Sequence, residues 1–246
     1  MKKINKGQQA EALLQWRAAN VAIPQNLKYN KGGFPRDRIL EALLRDQGYL
    51  CAYTLKRIGV TSSHIEHLKP QCVCEAEDFE RKENGQACSH DDVAWNNMVA
   101  CFPPPGAPQP EYGAVVKGNW WDSTLFVSPL SQNCEQRFRY LKDGGIEPEI
   151  AGDAAVCETI HRLKLDNLKL VELRRNAILA AGVHPKAPNA VTSQAVVQRL
   201  IKSWQQRYAD QSFSEFCTVM IQAAQQHLTW IQRQSQRKAH AKGGAK

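Results

Sequence analysis

Residues 62–71 read SSHIEHLKPQ and place two histidines and a glutamate within four positions, ahead of a proline. In a strand the side chains alternate, so His64 and Glu66 share one face while His67 lies on the other. A helix would bring the two histidines together, but the serine pair and the proline argue against a helix interior. The strand interpretation separates the roles of the polar groups. Glu66 can bind a hard divalent cation such as Mg²⁺, and His67 can take a proton from water.

The same stretch also fits a polar strand face that carries no chemistry. A single histidine on such a strand is more often structural than catalytic, and the residues of this stretch alone leave both interpretations open.

Composition and charge limit the classes of protein to consider. The chain has 246 residues, 43% of them hydrophobic, which is enough for a buried core. Its eight scattered cysteines favour reduced thiols in a cytoplasmic protein over a disulfide framework. The sequence contains no apolar run of membrane-spanning length, and its basic N-terminus lacks the apolar segment of a secretory signal. The net charge is +8, although residues 64–92 hold eight acids against three Lys and Arg. A basic chain with an acidic middle is compatible with an anionic partner.

The first half of the chain predicts helices around short extended segments. We expect a helix over the first 20 residues and a second amphipathic helix from 35 to 48. Residues 49–54 and 62–68 are predicted to be extended, and residues 91–102 to form a helix or a tight loop that enters one.

The second half predicts one hairpin followed by helices. RFRYLKDGGIEPEI (137–150) alternates polar and apolar residues around DGG, which indicates a hairpin. Two helices are expected from 151 to 182, with Asp166 or Asn167 capping the start of the second and Gly182 its end. Helical spacing then continues towards the C-terminus. The predicted fold class is α+β, a small ββα core within a mostly helical protein.

Three segments together resemble the HNH endonucleases, also called the His-Me finger or ββα-metal family. They are CAYTLKRIGVTSSHIEHLKPQ (51–71), DDVAWNNMVACF (91–102) and YGAVVKGNWWD (112–122). The wider pattern, FVSPLSQNCEQRFRYLKDGG (126–145) and TIHRLKLDNLKLVELRRNAIL (159–179), is similar to the PtuB effector nucleases of Septu-type and retron-associated antiphage systems.

The resemblance implies a role for each matching residue. His67 matches the histidine that activates water, and Glu66 matches the ligand of a catalytic Mg²⁺ or Mn²⁺. Asn97 matches the asparagine that orients this histidine, with Asn96 as a rival one position away. His64 matches a position that assists the metal site or the phosphate.

One element of the family pattern is incomplete. Counting back from Lys117 to the last family ligand reaches Ala114, so Glu111, Asn119 or a water would have to substitute. Lys117 and Asn119 are also candidates for contact with nucleic acid.

The cysteines allow a separate hypothesis. Cys72, Cys74, Cys88 and His90 are four soft ligands that could hold a structural Zn²⁺, although CxC and CxH pairs are less diagnostic than CxxC. The alternative is a solvated acidic insertion.

The resemblance also implies organisation and partners. We expect an N-terminal helical extension (1–33), a nuclease core with the cysteine-containing insertion (34–130), a hairpin with a helical region (131–236) and a mobile basic tail (237–246). The expected function is metal-dependent cleavage of DNA or RNA by an antiphage effector. The implied partners are a PtuA-like ATPase and, from the retron-associated systems, a reverse transcriptase with its multicopy single-stranded DNA. The alternative is a catalytically degenerate HNH scaffold that binds nucleic acid or a partner protein.

Overall fold

The computed structural model describes the backbone of residues 1–243 and the side chains of residues 1–237. It is 46% helical and 7% strand, which confirms a mostly helical α+β fold. The helices are α1 (Glu11–Asn20), α2 (Arg36–Asp46), α3 (Gln71–Glu83), α4 (Ala114–Lys117), α5 (Cys134–Arg137), α6 (Ala154–Leu163), α7 (Leu168–Ala180), α8 (Gln194–Gln205) and α9 (Cys217–Gly243). The strands are β1 (His64–His67), β2 (Met98–Cys101), β3 (Phe138–Tyr140) and β4 (Ile146–Pro148).

The strands form two separate antiparallel pairs, β1 with β2 and β3 with β4. In the second pair Tyr140 lies opposite Ile146, and Gly144 in the connecting turn has a φ of 89°. A Cβ at Gly144 would lie 2.1 Å from the carbonyl oxygen of Val171, so this turn requires glycine. The hairpin predicted from DGG is therefore confirmed.

The helices after the hairpin agree with their sequence signals. The side chain of Asn167, rather than Asp166, caps α7 by accepting a hydrogen bond from the Lys169 amide. Gly182 lies just beyond α7 with a φ of 70°. The helical spacing of the C-terminal run is interrupted between α8 and α9, so Phe213 and Phe216 lie in the connection between them.

Several predicted elements differ from the structure. The N-terminal helix begins only at Glu11. Residues 49–54 form turns with one isolated bridge, from Leu50 to Arg57, instead of an extended segment. Residues 91–97 form two 3-10 turns, and the following residues are strand β2, so a helix there was wrong. The cysteine-containing segment, expected to be a loop, contains the 13-residue helix α3.

One continuous core underlies all of these elements. Its buried hydrophobic residues extend from Met1 to Ile231 and include residues from α1, α2, both strand pairs and α6–α9. Among residues 1–243, no helix has both the length and the apolar character needed to cross a bilayer. The predicted tail begins inside α9, which continues through Gly243. The side chains after residue 237 and the whole of 244–246 lie outside the described residues.

Gln47, at the end of α2, holds the β1–β2 pair against that helix. Its side-chain amide donates to the carbonyl oxygens of Leu50 and Ala100, both at 2.8 Å. Its side-chain oxygen accepts from the Ala100 amide at 2.7 Å. Because Gln47 is buried, these bonds satisfy backbone groups of β2 that water does not reach. The amide of Ala52 also donates to the Ala100 carbonyl, so the turn at residues 49–54 is tied to β2.

Candidate functional site

The HIEH stretch forms the strand that the sequence predicted. β1 pairs with β2 so that His64 lies opposite Cys101 and Glu66 opposite Val99. Its burial alternates: His64 and Glu66 are half-buried, whereas Ile65 and His67 are buried. The two faces of this short strand therefore place the two histidines in different surroundings.

His67 is held by the loop that precedes β2. Its Nε2 lies 2.7 Å from the carbonyl oxygen of Asp92. A carbonyl can only accept, so Nε2 carries the proton and Nδ1 of the neutral ring keeps its lone pair. Tyr29 packs edge-on against the imidazole with ring centroids 4.6 Å apart. Burial lowers the pKa of His67 from its ordinary value of 6.5, so the neutral base form is favoured.

Asn97 fixes the loop that supplies the Asp92 carbonyl. Its side-chain oxygen accepts from the Lys69 amide at 2.7 Å. Its side-chain nitrogen donates to the carbonyl oxygens of Lys69, at 3.0 Å, and Asp91, at 2.9 Å. The amide thus joins the end of β1 to the residue next to Asp92. Asn97 is buried and Asn96 is exposed, so Asn97, and not Asn96, is the asparagine that fixes this loop.

His64 lies among groups that favour its charged form. Its Nδ1 lies 2.5 Å from the Pro103 carbonyl oxygen and therefore donates to it. Its Nε2 lies 3.8 Å from Oε2 of Glu66. Burial opposes the charge on His64, but the nearby Glu66 carboxylate and the hydrogen bond to the Pro103 carbonyl outweigh burial and raise its pKa above 6.5. The two histidines of β1 are thus shifted in opposite directions.

Glu66 is paired with a lysine from α4. Nζ of Lys117 lies 3.1 Å from Oε1 of Glu66 and donates to the His67 carbonyl oxygen at 3.0 Å. The Lys117 side chain has no exposed surface, so its ammonium is buried against β1. The hydroxyl of Tyr53 lies 3.4 Å from the same carboxylate oxygen. Lys117 is therefore directed inward, which differs from the phosphate contact that the sequence predicted.

The residues around Glu66 do not by themselves form a divalent cation site. Within the described part of the chain, no three His, Cys, Asp or Glu side chains are grouped so that they could hold a metal ion. The carboxylate of Glu66 is already neutralised by the Lys117 ammonium. Ala114 is buried and offers no ligand atom, while Glu111 and Asn119, the predicted substitutes, are exposed. Binding of Mg²⁺ or Mn²⁺ at Glu66 stays a prediction from the family resemblance.

The four residues of the zinc hypothesis are not brought together as a ligand set. Cys72 and Cys74 are two positions apart on α3, where Cys72 is exposed and Cys74 is buried. Cys74 instead contacts the Asn97 side chain, with its Sγ 3.6 Å from the amide nitrogen. Cys88 lies 3.9 Å from the carbonyl oxygen of Asp78. His90 forms the left-handed N-cap of the 3-10 turn at 91–93.

Sequence reasoning missed three contributors to the site. The Asp92 carbonyl carries no sequence signal, because any residue could supply it. Tyr53 and Tyr29 come from segments interpreted as a strand and a loop, and nothing in their spacing pointed to Glu66 or His67. A bulky aromatic residue beside a polar cluster was the only available signal.

No family model and no curated protein matches this chain. The geometry of the site and the resemblance of its motifs therefore carry the functional argument.

Replacement of Asn97 by alanine should loosen the loop that holds His67. We expect Asn97→Ala to lower the free energy of unfolding by about 3 kcal/mol, because it leaves buried backbone groups of Lys69 and Asp91 without partners. Asn96→Ala, the exposed neighbour, should change it by less than about 0.5 kcal/mol. Chemical denaturation measures both, and ¹⁵N NMR of the imidazole should show the Nε2–H tautomer of His67 lost only in Asn97→Ala. Equal effects of the two changes would contradict this role of Asn97.

Removal of the Lys117 ammonium should make Glu66 available to a metal ion. We expect Lys117→Met to bind Mn²⁺ at least about tenfold more tightly than the unaltered chain, which corresponds to about 1.4 kcal/mol. The reason is that the ammonium competes with the ion for the same carboxylate. Electron paramagnetic resonance of free Mn²⁺ measures the binding.

The double change Glu66→Gln, Lys117→Met is the control, and it should not bind Mn²⁺ more tightly than the unaltered chain. Thermal unfolding of each variant confirms that it is folded. An unaltered chain that binds Mn²⁺ as tightly as Lys117→Met would show that Lys117 does not block the carboxylate.

Proposed function

We propose that this chain hydrolyses phosphodiester bonds in nucleic acid in the manner of the HNH endonucleases that its motifs resemble. The observation that carries the proposal is the support of His67, in which the Asn97 side chain fixes the loop whose Asp92 carbonyl binds the imidazole. This is the role that the resemblance assigned to Asn97 from sequence alone. A strand whose polar side chains only face solvent does not require a buried hydrogen-bond network to hold its histidine in place.

The two histidines suit opposite parts of a hydrolytic reaction. His67 is neutral, so Nδ1 can accept a proton from the water that attacks phosphorus. His64 is biased towards the imidazolium, which stabilises the negative charge that builds up on the phosphoryl oxygens. In enzymes, two neighbouring titratable groups whose environments push their pKa values apart are commonly the acid and the base of the reaction.

The charge of the chain supports a polyanionic substrate. Its net charge of +8 attracts a phosphate backbone without reading its sequence. The antiphage role, the PtuA-like ATPase, the reverse transcriptase and the cytoplasmic location remain predictions from the resemblance.

A degenerate HNH scaffold is the second candidate function, and two observations favour it. The Lys117 ammonium occupies the carboxylate that would bind the catalytic metal ion, and Ala114 stands where the family has a ligand. In that case the chain binds nucleic acid or a partner without cleaving.

Cleavage by the full chain discriminates between the two candidates. We expect His67→Ala to reduce cleavage of DNA or RNA at least about 100-fold, because it removes the general base. His161→Ala, on the exposed side of α6, should cleave at the unaltered rate. Both are assayed with purified protein, with and without Mg²⁺ or Mn²⁺, and by sequencing nucleic acid ends after induced expression in cells. Undiminished cleavage by His67→Ala would remove His67 as the base, and no cleavage in any assay would favour the degenerate scaffold.

The opposite shifts of the two histidines predict a bell-shaped pH profile. Activity should rise as the pH increases through the lowered pKa of His67, since its neutral form is required. It should fall as the pH passes the raised pKa of His64, since that group acts while charged. The two limbs should therefore lie on either side of pH 6.5. Measurement of kcat/KM against pH should show that His64→Gln loses the alkaline limb and keeps the acidic one; an unchanged alkaline limb would exclude His64 as its source.

A further inference from the structure

A cavity of about 530 Å³ opens beside β1, and His64 is among its lining residues. Its lining includes His64 and Ile65 from β1, and Tyr29, whose ring packs on the imidazole of His67. The segment Pro103–Ala107 forms one wall, and we call the space the proline-walled cavity. The Tyr29 ring therefore connects the cavity to the imidazole of His67, which does not itself line it.

The polar groups of the proline-walled cavity suit an anion. Arg36, from the start of α2, and His64 both line it, and Asn30 and Gln109 add side-chain amides. No Asp or Glu is among the lining residues within the described part of the chain. A guanidinium binds phosphate oxygens in pairs, with a geometry that lysine lacks.

The wall that Pro103–Ala107 forms is apolar. Pro103, Pro104 and Pro105 follow one another along it, and Ile65 and Val115 add to the same surface. Prolines fix the backbone and present flat hydrocarbon surface, so this wall can pack against a planar ring without first being ordered. The volume lies within the usual range for small-molecule sites, about 300–1,000 Å³. The cavity therefore combines cationic and apolar lining residues, which suit the phosphate and the base of a nucleotide.

We propose that the proline-walled cavity binds one unpaired nucleotide of the nucleic acid substrate, with its phosphate on Arg36 and its base against Pro103–Pro105. This rests on the proposed function, because the nucleotide would belong to the strand whose phosphodiester is attacked by the water that His67 activates. A base in a duplex is stacked and paired and cannot enter a concave site without being extruded, which costs a few kcal/mol. The substrate class is therefore single-stranded or locally unpaired nucleic acid.

Binding by the full chain tests the proposal without relying on cleavage. The probes are fluorescein-labelled 12-nucleotide single strands of DNA and of RNA, and a duplex of the same sequence, all at one salt concentration, with anisotropy as the measurement. His67→Ala serves as the parent so that the probes stay intact. We expect the single strands to bind at least about tenfold more tightly than the duplex, in line with the cost of extruding a base.

Two changes address the two walls of the cavity. Arg36→Gln should weaken single-strand binding about tenfold, as expected for loss of a charge-assisted phosphate contact. Arg38→Gln is the matched control, because Arg38 lies on the same helix but lines a different cavity, and it should change binding less than about twofold. Ala107→Trp fills the cavity without changing charge and should weaken single-strand binding as Arg36→Gln does. If Arg36→Gln does not fold, as judged by thermal unfolding, Ala107→Trp decides alone.

Three results would overturn the proposal. One is equal binding of duplex and single strand. The second is an effect of Arg36→Gln and Ala107→Trp no larger than that of Arg38→Gln. The third is binding of free adenosine monophosphate as tightly as of the single strands, which would show a small-molecule site instead. Cavity-dependent binding in a chain that never cleaves would leave this proposal standing and remove only the proposed hydrolysis.

Discussion

The Lys117 ammonium is the constraint on which the arrangement of this site depends. Burying a charge completely costs several kcal/mol unless it is paired and hydrogen-bonded. Lys117 meets this condition with one carboxylate oxygen of Glu66 and the carbonyl oxygen of His67. Both acceptors belong to β1, so the short helix α4 is held to that strand by the Lys117 ammonium. Glu66 cannot move away from α4 without leaving the ammonium uncompensated.

The same ammonium contributes to the difference between the two histidines. Burial lowers the pKa of the His67 imidazole, and the nearby ammonium adds a smaller effect in the same direction. His64, two positions from Glu66 on the same face, gains a carboxylate neighbour and a carbonyl acceptor instead. Four consecutive residues thus carry one imidazole with a lowered pKa, one with a raised pKa and a carboxylate, because strand alternation sends adjacent side chains to opposite environments.

The parts of the fold that followed from sequence are those with strong local signals. HIEH was bounded by serines and a proline, the hairpin had DGG, and α7 had Asn167 as its cap. β2 was missed because a short apolar run does not distinguish a buried strand from a helix, and pairing with β1 decides the matter. α3 was missed because its cysteines suggested ligands, although its Glu, Ala, Arg and Lys residues favour helix. In the site, Asn97 followed from the motif, but the burial of Lys117 depends on how α4 docks, which no local pattern encodes.

Gln47 has a consequence for the unpaired edge of β2. A two-stranded sheet has two open edges, and such edges can recruit strands from other molecules and start aggregation. The Gln47 side chain has the same donor and acceptor groups as a peptide unit, and it bonds both the amide and the carbonyl of Ala100. It therefore takes the place of a third strand at the centre of β2. Gln47, with the Ala52 amide and the burial of the whole of β2, thus leaves this edge with no free position for a strand from another molecule.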